Sequence, residues 1–477
     1  MTEKVKMTFN GKEIVADKGS NLLQAALNNK IEVAHYCYHQ GLSIAGVCRM
    51  CMVEQDGVPR PFPSCNATCS EGMVVRSDTP KIKEAVEATL RFHLVNHPLD
   101  CPVCDQAGEC GLQDYYMKHG TYDSQMIDKK VHKEKVQDIG KNVMLDAERC
   151  ILCSRCTRFT TEVTKSYELG ILNRGDHAEI TVNENLKNDY AQNLVDICPV
   201  GALTSKDFRF KQRVWFLDEV HTTCIGCETG CSVKVSQNKN GSYRVKPVYD
   251  HEVNGHWMCD DGRQIYKHVS SPTRLKGPNE NLNGLFVPAT EAKALNDVSG
   301  KKIKFILSTS LTNEEYTNFF KNFKGQKSDV ALYTLPNEGV EYDGILKRGN
   351  KNANLLGAQK AFDVAGFDHS PTGLDKMLTG LSANDALYVV IPEILYNEDH
   401  FNTLLKKIEK AGVKIALTPG ETLSSMKVFN YLLPVPTFLE KEGTMTNFNG
   451  LERKLNKGMS YGDISKDISN YASGVNV

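Results

Sequence analysis

Fifteen of the sixteen cysteines in this 477-residue chain sort, with one histidine, into four sets of four metal-binding side chains. The sets are Cys37, Cys48, Cys51 and Cys65; His97, Cys101, Cys104 and Cys110; Cys150, Cys153, Cys156 and Cys198; and Cys224, Cys227, Cys231 and Cys259. Thiolates are the ligands of iron–sulfur clusters and of structural zinc, so four such sets amount to four metal centres. Several centres close together in sequence describe a relay that moves electrons.

Spacing separates the two metals. The third set is the most specific: C-x2-C-x2-C followed by a remote Cys198-Pro199 repeats the grammar of bacterial-type [4Fe–4S] ferredoxins, whereas zinc ribbons pair two cysteines with two. The fourth, C-x2-C-x3-C-x27-C, is again three and one, which favours [4Fe–4S], with zinc as the alternative. In the second, H-x3-C-x2-C-x5-C, three close cysteines need a fourth partner and no unassigned cysteine lies nearby. His97, fixed near the loop by Pro98, supplies it, with His93 as the competing imidazole. An imidazole ligand takes one negative charge off a cluster and raises its potential if nothing else changes. The first set, C-x10-C-x2-C-x13-C, holds three thiols on one loop and a fourth beyond it, which suits [2Fe–2S]; its first gap is wider than in plant-type ferredoxins. Zinc or free buried thiols are the alternatives there. Cys69 is left over; we take Cys65 as the ligand and Cys69 as a small core thiol.

These ligands need elements to hold them. KVKMTF and KEIVA read as strands joined by an Asn10-Gly11 turn, and Ser20 as the cap of a helix over residues 21–30. With short strands near 52–54 and 72–76, this makes a small ferredoxin-type sheet beside a cysteine loop. Pro80 starts a helix over residues 81–96; residues 97–145 look loop-rich; SVKVSQ and YRVKPVY form strands about a KNGS turn. After about residue 300 the texture changes. KIKFILS, DVALYTL, ALYVVIP and VKIALTP alternate with helical stretches over 313–324 and 398–410, which predicts a parallel sheet covered by helices.

The net charge of −1 and a charged fraction of 24% give no electrostatic case for nucleic acid. The cysteine clustering favours metal over disulfide. MTEKVKMTFN has no apolar stretch before a cleavage site, so it is not expected to be a secretory signal. No apolar run of about 18 residues exists, so a membrane is expected to be reached only through partners. There is no G-x-G-x-x-G after a strand, P-loop, G-x-S-x-G or H-E-x-x-H, hence no evident site for NADH or flavin. The chain is expected to carry electrons while another subunit holds the hydride donor. No catalytic residue is expected.

CRMCMVEQDG…PSC, NHPLDCPVCDQAGECGLQD and RCILCSRCTRF…DICPVGALTSKDFRF resemble the large iron–sulfur subunits of bacterial respiratory NADH:quinone oxidoreductase, complex I. The resemblance covers residues 1–265 and returns at 433–454, LPVPTFLEKEGTMTNFNGLERK. It implies one [2Fe–2S] cluster on the first set and [4Fe–4S] clusters on the other three, with His97 as the unusual ligand. It implies electron transfer from reduced flavin on an NADH-binding partner towards quinone, among other peripheral-arm subunits, on the cytoplasmic side of a bacterial inner membrane. The implied fold class is multi-domain α+β then α/β: a [2Fe–2S] ferredoxin-like domain (1–78), a His–Cys [4Fe–4S] segment (79–120), a ferredoxin-like [4Fe–4S] domain (121–218), a [4Fe–4S] domain of molybdopterin-oxidoreductase type (219–275) and a reduced molybdopterin-oxidoreductase-like α/β domain (276–477). Family members are much longer, so this last domain is expected to scaffold or dock and to bind no molybdopterin. The alternatives are the electron-transfer subunit of an NAD-linked soluble hydrogenase or formate dehydrogenase, and a structural zinc protein.

Overall fold

Asn10 and Gly11 both take positive φ, 50° and 77°, the mirror-image turn whose twist matches a hairpin. They join strands Lys4–Phe9 and Lys12–Asp17 in antiparallel register, as their sequence predicts. The computed structural model describes residues 3–123, 126–395, 397–421, 424–461, 464, 466 and 468–472. It divides into two units, residues 1–216 and 217–477.

In the first unit the hairpin grows into a five-stranded sheet. Val74–Arg76 runs parallel to Lys4–Phe9, and Met52–Gln55 and Phe62–Pro63 complete the far edge. Val5, Met7 and Phe9 alternate onto one face and bury against Leu22, Leu23 and Ala26 of the helix Leu22–Asn28. That helix starts one residue later than expected: the Asn21 side chain, not Ser20, accepts from the Gln24 N–H at 3.0 Å. Thr79 caps the helix Pro80–Leu94. A helix, Gly111–His119, occupies part of the stretch expected to be loop. Beyond it the backbone is mostly irregular, with short strands and a π-helical turn at Phe159–Val163.

The second unit opens with the antiparallel strands Asp218–Thr223, Ser232–Asn238 and Gly241–Pro247. A seven-stranded sheet follows. Its five parallel strands stand in the order Tyr431–Pro434, Val413–Thr418, Asp385–Val390, Lys302–Ser308 and Val330–Tyr333. The hairpin Asn279–Leu282 and Leu285–Pro288 adds an antiparallel edge. Asp385–Val390 is buried along its whole length, as a strand covered on both faces must be. Phe305, Phe319 and Phe362 pack on one face, and Leu387, Phe401 and Leu432 on the other. The fold class is therefore α+β followed by α/β. Among the described residues no helix is long and apolar enough to cross a membrane.

Candidate metal centres

The first set gathers over the small sheet. The backbone N–H groups of Tyr36 and Cys37 both donate to Cys48 Sγ at 3.4 Å. The Cys37 thiol shares hydrogen bonds with Cys48 and Cys65, and Cys51 with Cys65. This sharing lowers the pKa of Cys37, and of Cys51 to about 7, while it raises those of Cys48 and Cys65. Cys69 points elsewhere: its thiol is bonded to Ser20 and its backbone is tied to Gly19 and Ser20.

In the second set Cys104 and Cys110 are neighbours of Cys101, which is exposed. Burial raises the Cys110 thiol to about 11. Gly201 passes so close that a Cβ there would stand 2.2 Å from Cys104 Sγ. His97 sits at the exit of the Pro80–Leu94 helix, its N–H bonded to Leu94 O at 3.1 Å. Desolvation, then Lys130, lower its pKa to about 4, leaving the neutral imidazole that binds metal. The competitor His93 faces the first set, with Nε2 3.3 Å from Cys48 O and its ring edge-on to Tyr36.

The third and fourth sets each surround a cavity. Cys150, Cys153, Cys156 and Cys198 line one together with Leu145, Arg155, Ile180 and Val200. Leu152 and Ser154, at φ of 55° and 59°, lie in the left-handed region that non-glycine residues rarely visit. These two reversals between ligands wind the C-x2-C-x2-C run around the cavity. Cys224, Cys227, Cys231 and Cys259 line the other, with Leu346 and the buried Lys351 in its wall. Its loop is held from far along the chain. Thr229 Oγ1 donates to Leu346 O at 2.7 Å, Asn447 Nδ2 to Thr229 O at 3.2 Å, and Arg453 Nε to Gly230 O at 3.2 Å.

Burial raises Cys150, Cys198 and Cys259 to about 12, and raises Cys156 and Cys231 well above the ordinary thiol value. Such thiols ionise only when a cation replaces their protons. Among the described residues no three His, Cys, Asp or Glu converge where a single ion would sit. Four thiols around one cavity fit an iron–sulfur cluster, and two shielded donors, Tyr36 Oη and Arg155 Nε, have no hydrogen-bond partner among the described residues. Cluster sulfur is the acceptor such donors need.

Three of the sets interlock within the first unit. Tyr36, Cys37, Cys48, Ile151, Cys153, Val200 and Ala202 share one apolar cluster, with Cys110, Cys150 and Cys198 against it. Arg158 Nη2 donates to Cys37 O at 2.5 Å and Arg155 Nη2 to Tyr38 O at 2.5 Å, joining the first loop to the third. Arg149 donates through Nε and Nη2 to Asp100 at 3.0 and 2.8 Å, and Gly111 N–H to Pro199 O at 2.9 Å, joining the second to the third. Sequence reasoning passed over these arginines; their place inside or beside the third cysteine run was the available signal. Nothing in the sequence marks Lys351.

Each set falls inside a matched family model. These are a 2Fe-2S iron-sulfur cluster binding domain (residues 2–80), an NADH-ubiquinone oxidoreductase-G iron-sulfur binding region (87–125), an NADH-quinone oxidoreductase subunit 3 ferredoxin-like domain (140–204) and a molybdopterin oxidoreductase Fe4S4 domain (217–271). The NADH-quinone oxidoreductase G subunit of Rickettsia conorii is 36% identical over 372 residues, 75% of this chain and 54% of that protein. The G subunit of Streptomyces coelicolor is 38% identical over 61% of this chain and 35% of its own length. The mitochondrial NADH-ubiquinone oxidoreductase 78 kDa subunit of Neurospora crassa is 36% identical over 68% of this chain and 43% of its own. The chain thus spans about half the length of the first of these relatives. A crystal structure of NAD+-reducing [NiFe]-hydrogenase in the H2-reduced state aligns with TM-score 0.40 and 26% identity, over 44% of this chain and 91% of that one.

Proposed function

As a homologue of the NADH-quinone oxidoreductase G subunit over 75% of its own length, this chain is, we propose, an iron–sulfur electron-transfer subunit. In this reading it carries electrons from an NADH-reduced flavin on a partner subunit towards quinone, in the peripheral arm of a complex I on the cytoplasmic side of a bacterial inner membrane. The membrane is met through other subunits. Cys37, Cys48, Cys51 and Cys65 hold [2Fe–2S]. His97 with Cys101, Cys104 and Cys110, and the two all-cysteine sets, hold [4Fe–4S]. Molybdopterin has no part in this reading.

The observation that carries it is the interlocking of three ligand sets in one apolar cluster. Clusters so held pass single electrons. The chain's own part is to hold ligands and exclude water: Tyr36 and Cys37 N–H groups orient Cys48, and Gly262 N–H donates to Cys259 Sγ at 3.4 Å. Hydrogen bonds to ligand sulfur raise the reduction potential. The third site stands between the first and second in this scheme, because Arg155 and Arg158 reach one and Arg149 the other.

The test is iron, acid-labile sulfide and zinc per anaerobically purified chain, with a reduced EPR spectrum. About 14 iron atoms, matching sulfide and overlapping [2Fe–2S] and [4Fe–4S] signals are expected. Zinc without sulfide overturns the reading.

A further inference from the structure

Arg155 lies between two ligands of the third set, Cys153 and Cys156, and forms part of the wall of their cavity. Two of its three nitrogens are committed. Nη1 donates to Ile197 O at 2.9 Å, next to the ligand Cys198, and Nη2 donates to Tyr38 O at 2.5 Å, next to the ligand Cys37. The third, Nε, is shielded from solvent and has no partner among the described residues. An orphaned cationic donor in such a place costs several kcal/mol unless something negative meets it. Carbonyl oxygens satisfy its two Nη groups but do not offset its charge. The neighbouring Arg158 adds a like charge, bonded to Cys37 O, to Cys153 O at 3.5 Å and to Ser43 O. The anion that fits is the one the four surrounding thiolates make with iron.

We propose that Arg155 is the positioning and tuning residue of the third centre: its Nε–H donates to a sulfur of the [4Fe–4S] group held by Cys150, Cys153, Cys156 and Cys198, while its Nη2–H fastens the first centre's loop to it. The inference rests on the cluster reading of these sets. A positive donor on cluster sulfur stabilises the reduced, more negative state, so it raises the reduction potential. Through the guanidinium, Tyr38 carbonyl and third-centre sulfur are linked by two hydrogen bonds and one rigid fork. Arginine's planar guanidinium holds its donors in a fixed fork; lysine keeps the charge and loses the fork.

The experiment is a potentiometric EPR titration of the full chain, anaerobically loaded, as Arg155 and as the variants Arg155→Gln and Arg155→Lys, with iron and sulfide counted in each. The midpoint potential of the third centre is expected to fall in Arg155→Gln and to fall less in Arg155→Lys, while the second and fourth centres stay in place. Unchanged third-centre potentials in fully loaded variants overturn the proposal. Because a variant can fail to load, the unaltered chain labelled with 15N in its arginine side chains is measured by pulsed EPR. A 15N coupling on the reduced third centre supports the proposal, and its absence in a loaded sample overturns it. An unaltered chain that lacks the third centre's iron and signal overturns the underlying cluster reading instead, a failure the iron count makes distinguishable.

Discussion

The two units hold their cysteines in opposite ways. In the first, beside the small sheet's own core, ligand loops build a second core in which thiols of three sets join Tyr36, Ile151 and Val200. In the second, a parallel sheet has its own two cores, and the single ligand set belongs to a separate cluster with Val233, Val245, Phe438 and Met445. The candidate ligand thiols are thus part of a core in the first unit and lie apart from a self-sufficient sheet in the second.

The largest test of that contrast is stripping the iron with a chelator and reading hydrogen exchange on the full chain. Amides of residues 140–204 are expected to exchange about tenfold faster or more, because the four cavity-lining thiols lose the metal that joins them. Amides of the strands Lys302–Ser308 and Asp385–Val390 are expected to keep their protection; equal loss in both units breaks the comparison. A sharper and smaller perturbation is Gly201→Ala. Its Cβ would sit 2.2 Å from Cys104 Sγ and 3.1 Å from Gln106 Cβ, so the second site is expected to lose about four iron atoms. Gly111→Ala, which meets Pro199 O at 3.4 Å, should keep them. Iron analysis of the pair decides. The smallest effect belongs to Cys69→Ala. This thiol is 1% exposed and bonded to Ser20; its loss should cost about 1 kcal/mol in denaturant midpoint with iron unchanged, whereas Cys65→Ala should remove the [2Fe–2S] signal.

Much of this was legible from one dimension. Asn-Gly between alternating apolar residues specifies its hairpin, and the buried runs ILS and LYVV specify parallel strands, because both signals are local. The gathering of the third and fourth cysteine sets around a cavity was signalled in the same way, since three of the four members of each lie within a few residues. The helix Gly111–His119 was not. Its first turn has no side-chain cap, since Cys110 precedes it, and its apolar residues are few; it forms against Tyr36, whose ring stands 5.3 Å from Tyr115. Left-handed Leu152 and Ser154 were equally hidden, since nothing in those residue types asks for positive φ. Long-range packing imposes it. The surroundings of the fourth set were hidden most completely, because Leu346 and Lys351 in its cavity wall, and Asn447 and Arg453 that hold its loop, lie so far along the chain from the cysteines.

That last separation gives the protein a timetable. During synthesis the ligands of the first site and the sheet that holds them have all emerged by Arg76. The fourth site's loop waits for partners such as Asn447, 218 residues beyond Thr229. At about 5–20 residues per second, that is a delay on the order of ten to forty seconds. The first set of thiols is therefore framed by its own sheet well before the fourth, whose loop lacks partners such as Asn447 until the seven-stranded sheet is nearly complete.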